Sequence, residues 1–262
     1  MAKIIPLYSG SSGNSTFVGT NACGILIDVG KSARMTCKAL EAAGIDPSVI
    51  RGIFVTHEHS DHISGIDVLA RKFHIPVYGT EGTVDALARK GTVAPSVELC
   101  ALDNSVDLGD MSVDFFRTQH DSAQCCGYTV TMSNGSKAGI ATDLGIVTPA
   151  VLELLASCNA VMLESNYDED MLRCSMYPYV LKERIRSASG HLSNDACAAV
   201  LPRMVQQGVT QLVLAHLSQQ NNEPSLAKDT SVRTLAAFDI KENVDYQIRT
   251  AHRHDITSPV VF

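Results

Sequence analysis

The run Thr56-His57-Glu58-His59-Ser60-Asp61-His62 places three imidazoles and the carboxylate of Asp61 within six residues, directly after the apolar run Gly52-Ile53-Phe54-Val55. A buried strand that ends in so much polar chemistry needs something there to satisfy it, and a metal ion does so. His57 and His59 are two apart, so on an extended backbone they project to the same side and can grip one ion. Asp61 and His62 fall at the expected start of a helix, where they can hold a second ion. The spacing differs from H-E-x-x-H, in which two histidines sit four apart on one helix face. It reads as a two-metal site, against the plain alternative of a polar, His-rich turn at a strand end.

The rest of the chain must position this cluster. Apolar, β-branched runs recur, each ending in one hard ligand type. Gly24-Ile25-Leu26-Ile27 leads to Asp28, Ile53-Phe54-Val55 to His57, and Ala138-Gly139-Ile140-Ala141 to Asp143. Ala160-Val161-Met162-Leu163 leads to Glu164, and Gln211-Leu212-Val213-Leu214 to His216. Such runs are buried strands, and polar residues at successive strand ends assemble a site along one edge of an α/β scaffold. Helical patterns cover Ser32–Ala43 (closed by Gly44), Asp61–Lys72, Thr83–Lys90, Thr148–Ala156, Ser193–Gln207 and Pro224–Phe238. Asp110–Arg117 and Gly127–Met132, running on through Asn134-Gly135 to Lys137, read as antiparallel strands with a tight turn. The expected fold is α/β: a four-layer αββα sandwich of two mixed sheets packed face to face, helices outside, in one domain spanning residues 1–262.

Composition bounds the function. The chain of 262 residues is 45% hydrophobic and 19% charged, ordinary for a protein with a large core. No stretch approaches the ~20 apolar residues that span a bilayer, and the first residues show no secretory h-region. Eight cysteines without a C-x-x-C pattern read as reduced, buried thiols, so a cytoplasmic location is expected. A net charge of −7 argues against a uniformly basic nucleic-acid surface. A local basic track remains between Met171 and Arg203: Arg173, Lys182, Arg184, Arg186 and Arg203, with His191 among them. Its alternative is a solvated helix face. Met111, Met132, Met162 and Met171 read as core, and His74, His252 and His254 as structural or surface residues.

The residues resemble the metallo-β-lactamase superfamily. Its ordered parts all occur here: Asp28; His57-Glu58-His59-Ser60-Asp61-His62; His120 in Thr118-Gln119-His120-Asp121; Asp143 in Thr142-Asp143-Leu144-Gly145; and His216 in Ala215-His216-Leu217-Ser218. The resemblance implies that His57, His59 and His120 hold one ion. Asp61, His62 and His216 would hold the second, with Asp143 bridging and Asp28 supporting the ligand loop. A narrower resemblance, to the YycJ/WalJ (VicX) branch, is carried by Ser9-Gly10-Ser11-Ser12-Gly13-Asn14-Ser15, Glu164-Ser165-Asn166-Tyr167-Asp168, Gly190-His191-Leu192-Ser193-Asn194 and His216 to Pro224. Tyr167 stands where that branch leads us to expect His. The branch implies 5′-to-3′ exonuclease activity on DNA.

Beside such a site the Ser11, Ser12, Gly13, Asn14, Ser15 loop reads as a backbone nest for a substrate phosphate, against the reading of a flexible turn. Glu164 reads as an acceptor behind the ligands or a capping carboxylate. His191 reads as a phosphate clamp or proton donor, or as a histidine beside the Ser193 helix cap. Five imidazoles and two carboxylates suit two divalent ions, Zn²⁺ or Mn²⁺, with Fe also compatible. The implied reaction is attack on phosphorus by a hydroxide generated between the ions and oriented by Asp61, with His191 assisting the leaving oxygen. Two rivals remain: a small-molecule hydrolase of thioesters, lactones, β-lactams or cyclic phosphodiesters, and a metal-bound regulatory protein with vestigial activity. The stretch between Asp143 and His216 accommodates one strand and about three helices, leaving no room for a capping domain.

Overall fold

A computed structural model describes residues 1–262. Alternation of side chains along the strands builds two sheets. The first contains β1 (Lys3–Tyr8), β2 (Ser15–Gly19), β3 (Gly24–Ile27), β4 (Ile50–Phe54), β5 (Val77–Thr80) and β6 (Leu99–Leu102) in sequence order, with β14 (Val260–Val261) outside β1. The second runs β13 (Gln247–Thr250), β12 (Gln211–Ala215), β11 (Ala160–Glu164), β10 (Lys137–Ala141), β9 (Cys126–Met132), β8 (Met111–Arg117), β7 (Val106–Asp107). Both are mixed: β3 to β6 are parallel and β1 to β3 antiparallel, while β10 to β13 are parallel and β7 to β10 antiparallel.

Period two sorts most apolar strand residues into layers. Ile4, Val18, Ile25, Ile27 and Phe54 face inward and pack with Val113, Tyr128, Val130, Ile140 and Val213 of the other sheet. Their neighbours Ile5, Phe17, Leu26 and Ile53 face outward and join Leu40, Leu69 and Leu87, from helices α1 (Ala33–Ala42), α3 (Ile66–Phe73) and α4 (Glu81–Arg89). On the opposite side Val161, Leu163, Leu212 and Leu214 meet Leu155, Leu201 and Leu235, from α5 (Pro149–Ala156), α8 (Asn194–Gln206) and α9 (Pro224–Ala236). This is the expected αββα sandwich. No helix is long and apolar enough to cross a membrane.

Local expectations hold where caps are strong. Ser32, Thr148 and Ser193 accept hydrogen bonds from the first turns of α1, α5 and α8, as the sequence predicts. Three details differ. The expected helix Asp61–Lys72 breaks into α2 (Ser60–Ile63) and α3, because the Gly65 N–H donates to the Val29 carbonyl and its backbone lies against Lys31. Helix α4 begins before Thr83, capped by Thr80. Two short helices, α6 (Glu169–Cys174) and α7 (Tyr179–Arg186), fill the segment after β11, and α7 buries none of its residues. All eight cysteines are free; Cys174 is exposed and Cys100 half-buried, contrary to the reading of uniformly buried thiols.

Candidate metal centre

The predicted site residues leave the strands at one edge of the sandwich. Asp28 follows β3, His57 follows β4, Asp143 follows β10, Glu164 ends β11 and His216 follows β12. Three of them adopt left-handed backbone, Asp28 at φ 59°, Asp143 at φ 57° and His216 at φ 56°. Such angles are uncommon outside glycine and concentrate at functional sites. The loop carrying the histidines is tied to the other sheet: the Tyr128 hydroxyl donates to the Val55 carbonyl at 2.6 Å, and the Cys126 N–H to the Thr56 carbonyl at 3.1 Å.

These ties bring the predicted ligands together in overlapping clusters. His57, His59 and His120 offer ligand atoms within 4.8 Å of one another; so do His57, His62 and Asp143, and so do Asp61, His62 and His216. His57 and His59 meet edge to face with ring centroids 4.4 Å apart, as two residues on one side of an extended chain should. Asp143 lies between the clusters: Oδ2 is 3.4 Å from His62 Nε2, and Oδ1 is 3.5 Å from His216 Nε2 and 3.9 Å from His120 Nε2.

Four imidazoles, those of His62, His120, His216 and His191, are oriented by what Nδ1 touches. His62 Nδ1 lies 2.8 Å from Asp28 Oδ2, and Asp28 also accepts the Thr56 N–H and hydroxyl, each at 2.8 Å. His120 Nδ1 lies 3.1 Å from the Gly190 carbonyl. His216 Nδ1 and His191 Nδ1 each lie 2.8 Å from Glu164 Oε1, while Glu164 Oε2 accepts the N–H groups of Leu144 and Leu192 at 2.9 and 3.4 Å. Fixing the outer nitrogen in this way leaves Nε2 of His62, His120 and His216 to face the centre. Asp28 and Glu164 thus both accept hydrogen bonds from groups around the cluster.

The donor set fits divalent cations, as its own unmet bonds show. Asp143 Oδ2 and His216 Nε2 are buried and have no hydrogen-bond partner. Orphaned buried polar atoms cost about 1–3 kcal/mol each, and a cation among them removes that cost. Electrostatics agree. Burial raises the Asp143 carboxyl, but His216, His62 and His57 hold it well below the usual carboxylate range, so it stays ionised. Burial, reinforced by His62, pushes His57 well down, leaving it neutral with a free lone pair. Burial works against a charge on His62, yet Asp28 and Asp143 raise it to about 10, so in the metal-free protein a proton occupies the centre.

The remaining expected residues frame a cleft of about 250 Å³ lined by Ser11, Asp61, Asp143, His191 and His216. His191 reaches it from the segment before α8, with its side chain 23% exposed. Burial lowers the His191 imidazole, but Glu164 more than offsets this and lifts it to about 9. In the Ser/Gly loop, Gly13 N–H donates to the Gly10 carbonyl and Asn14 N–H to the Asp61 carbonyl, both at 2.8 Å. Ser15 is buried in β2. Only Ser11 and Ser12 are exposed, so the five-residue nest narrows to the tip of a turn, and Asn14 instead braces the ligand loop, its amide nitrogen 3.0 Å from His62 Nε2. The expected basic track is largely neutralised. Arg173 pairs with Asp170, Arg184 with Asp121, Arg186 with Glu169 and Arg203 with Glu153, and Lys182 donates to two backbone carbonyls.

Sequence reasoning passed over Glu58, whose Oε1 accepts the Ala123 N–H at 2.9 Å and so ties the first histidine loop to the loop carrying His120. It also passed over Asn166, which donates to the His216 carbonyl at 2.7 Å. Both stood inside quoted motifs, but spacing alone gave them no partner.

A family model described as Beta-lactamase superfamily domain matches residues 24–217. The chain belongs to the metallo-β-lactamase superfamily. Within it the chain falls in the YycJ/WalJ branch. It is 36% identical over 224 residues to Exodeoxyribonuclease YycJ of Bacillus anthracis, covering 85% of this chain and 84% of that protein. It is 33% identical over 246 residues to Exodeoxyribonuclease WalJ of Streptococcus pneumoniae, covering 92% and 91%. Among solved structures, the metallo-beta-lactamase fold protein YhfI from Bacillus subtilis aligns with a TM-score of 0.74 at 15% identity, over 98% of this chain and 100% of that one, a likeness of fold. This member of the superfamily is a metal-dependent hydrolase, and its His/Asp cluster is suited to a divalent metal.

Proposed function

We propose that this metallo-β-lactamase-fold protein is a phosphodiesterase with a dinuclear centre, an exonuclease that digests DNA from the 5′ end. The observation that carries the reading is the coincidence of His/Asp clusters able to hold metal with similarity over most of the chain to two proteins named exodeoxyribonucleases. His57, His59 and His120 would hold one ion and Asp61, His62 and His216 the other, with Asp143 between them. Bound there, the ions would supply an activated water and neutralise the charge on a phosphodiester.

The chain's own residues then divide the work. Asp61 lines the cleft, where its carboxylate can orient the attacking water. His191 is held by Glu164 through Nδ1, which leaves its second nitrogen for the cleft and for the leaving oxygen. Ser11 lines the same cleft, where its hydroxyl can bind a non-bridging oxygen. Tyr177 and the α7 residues Leu181, Arg184 and Ile185 form one side of the cleft, where a strand end could be seated.

A smaller substrate is favoured by one specific observation: the paired-off basic track, together with the net charge of −7. The deciding experiment loads the protein with Mn²⁺ or Zn²⁺ and offers 5′-phosphorylated single-stranded DNA, a simple phosphodiester and a thioester. Stepwise loss of nucleotides from the 5′ end is the expected result; thioester cleavage without diester cleavage would overturn the reading. His191→Ala should retain its metal and lose about 10²-fold or more in kcat, and an unchanged kcat would remove His191 from the mechanism.

A further inference from the structure

The cations that the sequence places along one segment are paired, so a strand of nucleic acid needs others. All ion pairs made by arginine or lysine side chains involve Arg71, Arg173, Arg184, Arg186, Arg203 and Lys228. Two long cations outside that set lie against the same short turn. Gly10 and Gly13 close the turn through the Gly13 N–H to Gly10 carbonyl bond of 2.8 Å, with Ser11 and Ser12 exposed at its tip. Arg253 packs on Gly10, where an added Cβ would fall 3.2 Å from its Cγ; Lys31 packs on Gly13, where an added Cβ would fall 2.7 Å from its Cδ. Both glycines hold positive φ, 149° and 148°, which L side chains rarely adopt. Each glycine thus makes room for a cationic stem to lie along the loop backbone.

The arrangement is held in place and partly unsatisfied. Arg253 donates from Nη2 to the Leu217 carbonyl at 3.2 Å, while its buried Nε has no partner. Leu217 lies between His216 and Ser218, both of which line the metal cleft, as Ser11 does. A wall formed by Ser9–Ser11 and His216–Ser218, closed by the His216 N–H to Ser9 Oγ bond of 2.8 Å, therefore separates that cleft from a second hollow whose lining includes Ser9, Leu217, His252, Arg253, His254 and the carboxylate of Asp255, which makes no ion pair with Arg253.

We propose that Lys31 and Arg253, on either side of the Ser11-Ser12 turn, form a cradle for the backbone phosphates of a single strand next to the phosphodiester being cleaved. This deepens the nuclease reading and rests on it. The cradle recognises phosphate and carries no base specificity, as interactions of this kind position a strand without reading it. It also explains how an acidic protein grips DNA: two unpaired cations at the site replace a wide basic surface.

The test uses the metal-loaded full chain and a fluorescently labelled single-stranded DNA 12-mer, with binding followed by anisotropy over a salt series. In the double variant Lys31→Met/Arg253→Gln, binding should weaken roughly tenfold. The slope of log affinity against log salt should become shallower by about 1.4, or ~0.7 for each single-strand phosphate that is no longer neutralised. The charge-keeping pair Lys31→Arg/Arg253→Lys should restore the slope. Hydrolysis of bis(p-nitrophenyl) phosphate, which has no neighbouring phosphate, should be unchanged in both. The slope is insensitive to a reduced fraction of folded protein, so misfolding cannot imitate the effect. An unchanged slope in the neutral variant, or equal losses on the 12-mer and the small diester, would overturn the cradle. Wild-type protein that binds the 12-mer with the expected slope but never cleaves it would leave the cradle standing and remove the nuclease reading. Absence of binding by the wild type would remove both.

Discussion

Replacing Glu164 by glutamine changes one atom and removes one charge, yet its four partners make the result severe. Oε1 faces Nδ1 of His191 and of His216, each at 2.8 Å; Oε2 faces the N–H groups of Leu144 and Leu192 at 2.9 and 3.4 Å. When the imidazoles present Nε2 to the centre, all four partners are donors. A glutamine has only one acceptor oxygen, so its amide nitrogen must confront two donors in either orientation. The side chain is fully buried, so no water relieves the clash. Hydrogen bonds to a charged group contribute about 1.5–3 kcal/mol each, and losing the two weaker ones costs about 3 kcal/mol. A histidine could instead switch tautomer and accept from the amide. For His216 that places a proton on Nε2, the nitrogen needed for the metal. Glu164→Gln should therefore weaken metal binding about 10–100-fold and lower stability by ~2–4 kcal/mol. Chelator competition measures the first and thermal or urea unfolding the second. A variant whose metal affinity stays within about twofold of wild type, with unchanged kcat, would refute the assignment of Glu164 as the shared acceptor.

Three further outcomes follow from the same geometry. Glu58→Gln can keep the bond to the Ala123 N–H, whereas Glu58→Ala cannot, so only the alanine variant should lose roughly tenfold in metal affinity, read by chelator competition; equal behaviour would detach Glu58 from the placing of His120. Gly30→Ala would set a Cβ 1.7 Å from the Asp61 carbonyl oxygen and 2.5 Å from the Asn14 nitrogen, both backbone atoms that cannot turn aside; a loss of about 3 kcal/mol and a Tm lower by ~5–10 °C is expected in a melting curve, and a wild-type Tm would contradict it. Because His62 in the metal-free protein sits at about 10, above its unfolded value, its contribution to apo stability is complete below about pH 6.5 and fades as pH rises through about 10; metal binding must expel that proton, so affinity should rise with pH across the neutral range in a calorimetric titration, and a pH-independent affinity would refute the assignment.

Much of this protein was legible in its sequence. Strands were visible because β3, β4, β10, β11 and β12 are short apolar runs bounded by polar residues, and period two is a local property. The predicted ligands were visible for a related reason: His57, His59, Asp61 and His62 lie within six residues, Asp143 and His216 each follow a recognisable strand, and His120 stands in the loop after β8. The break at Gly65 was not visible, because it depends on the Val29 carbonyl and the Lys31 backbone, far from Gly65 in the chain. Helices α6 and α7 were missed because they bury little, and an exposed helix leaves no strong apolar period.

Charge shows the division most clearly. The sequence by itself determined which residue types meet a metal and in what order, because a strand end fixes where its next side chain must go. Only the tertiary structure decided which charges remain free. Asp121 lies 63 residues from Arg184 in the chain and Glu153 lies 50 from Arg203, yet each cancels its partner, while Lys31 and Arg253, from opposite ends of the chain, each pack against a glycine of one short turn. Ion pairing acts through space over a few ångströms, and nothing in a linear charge count records that distance.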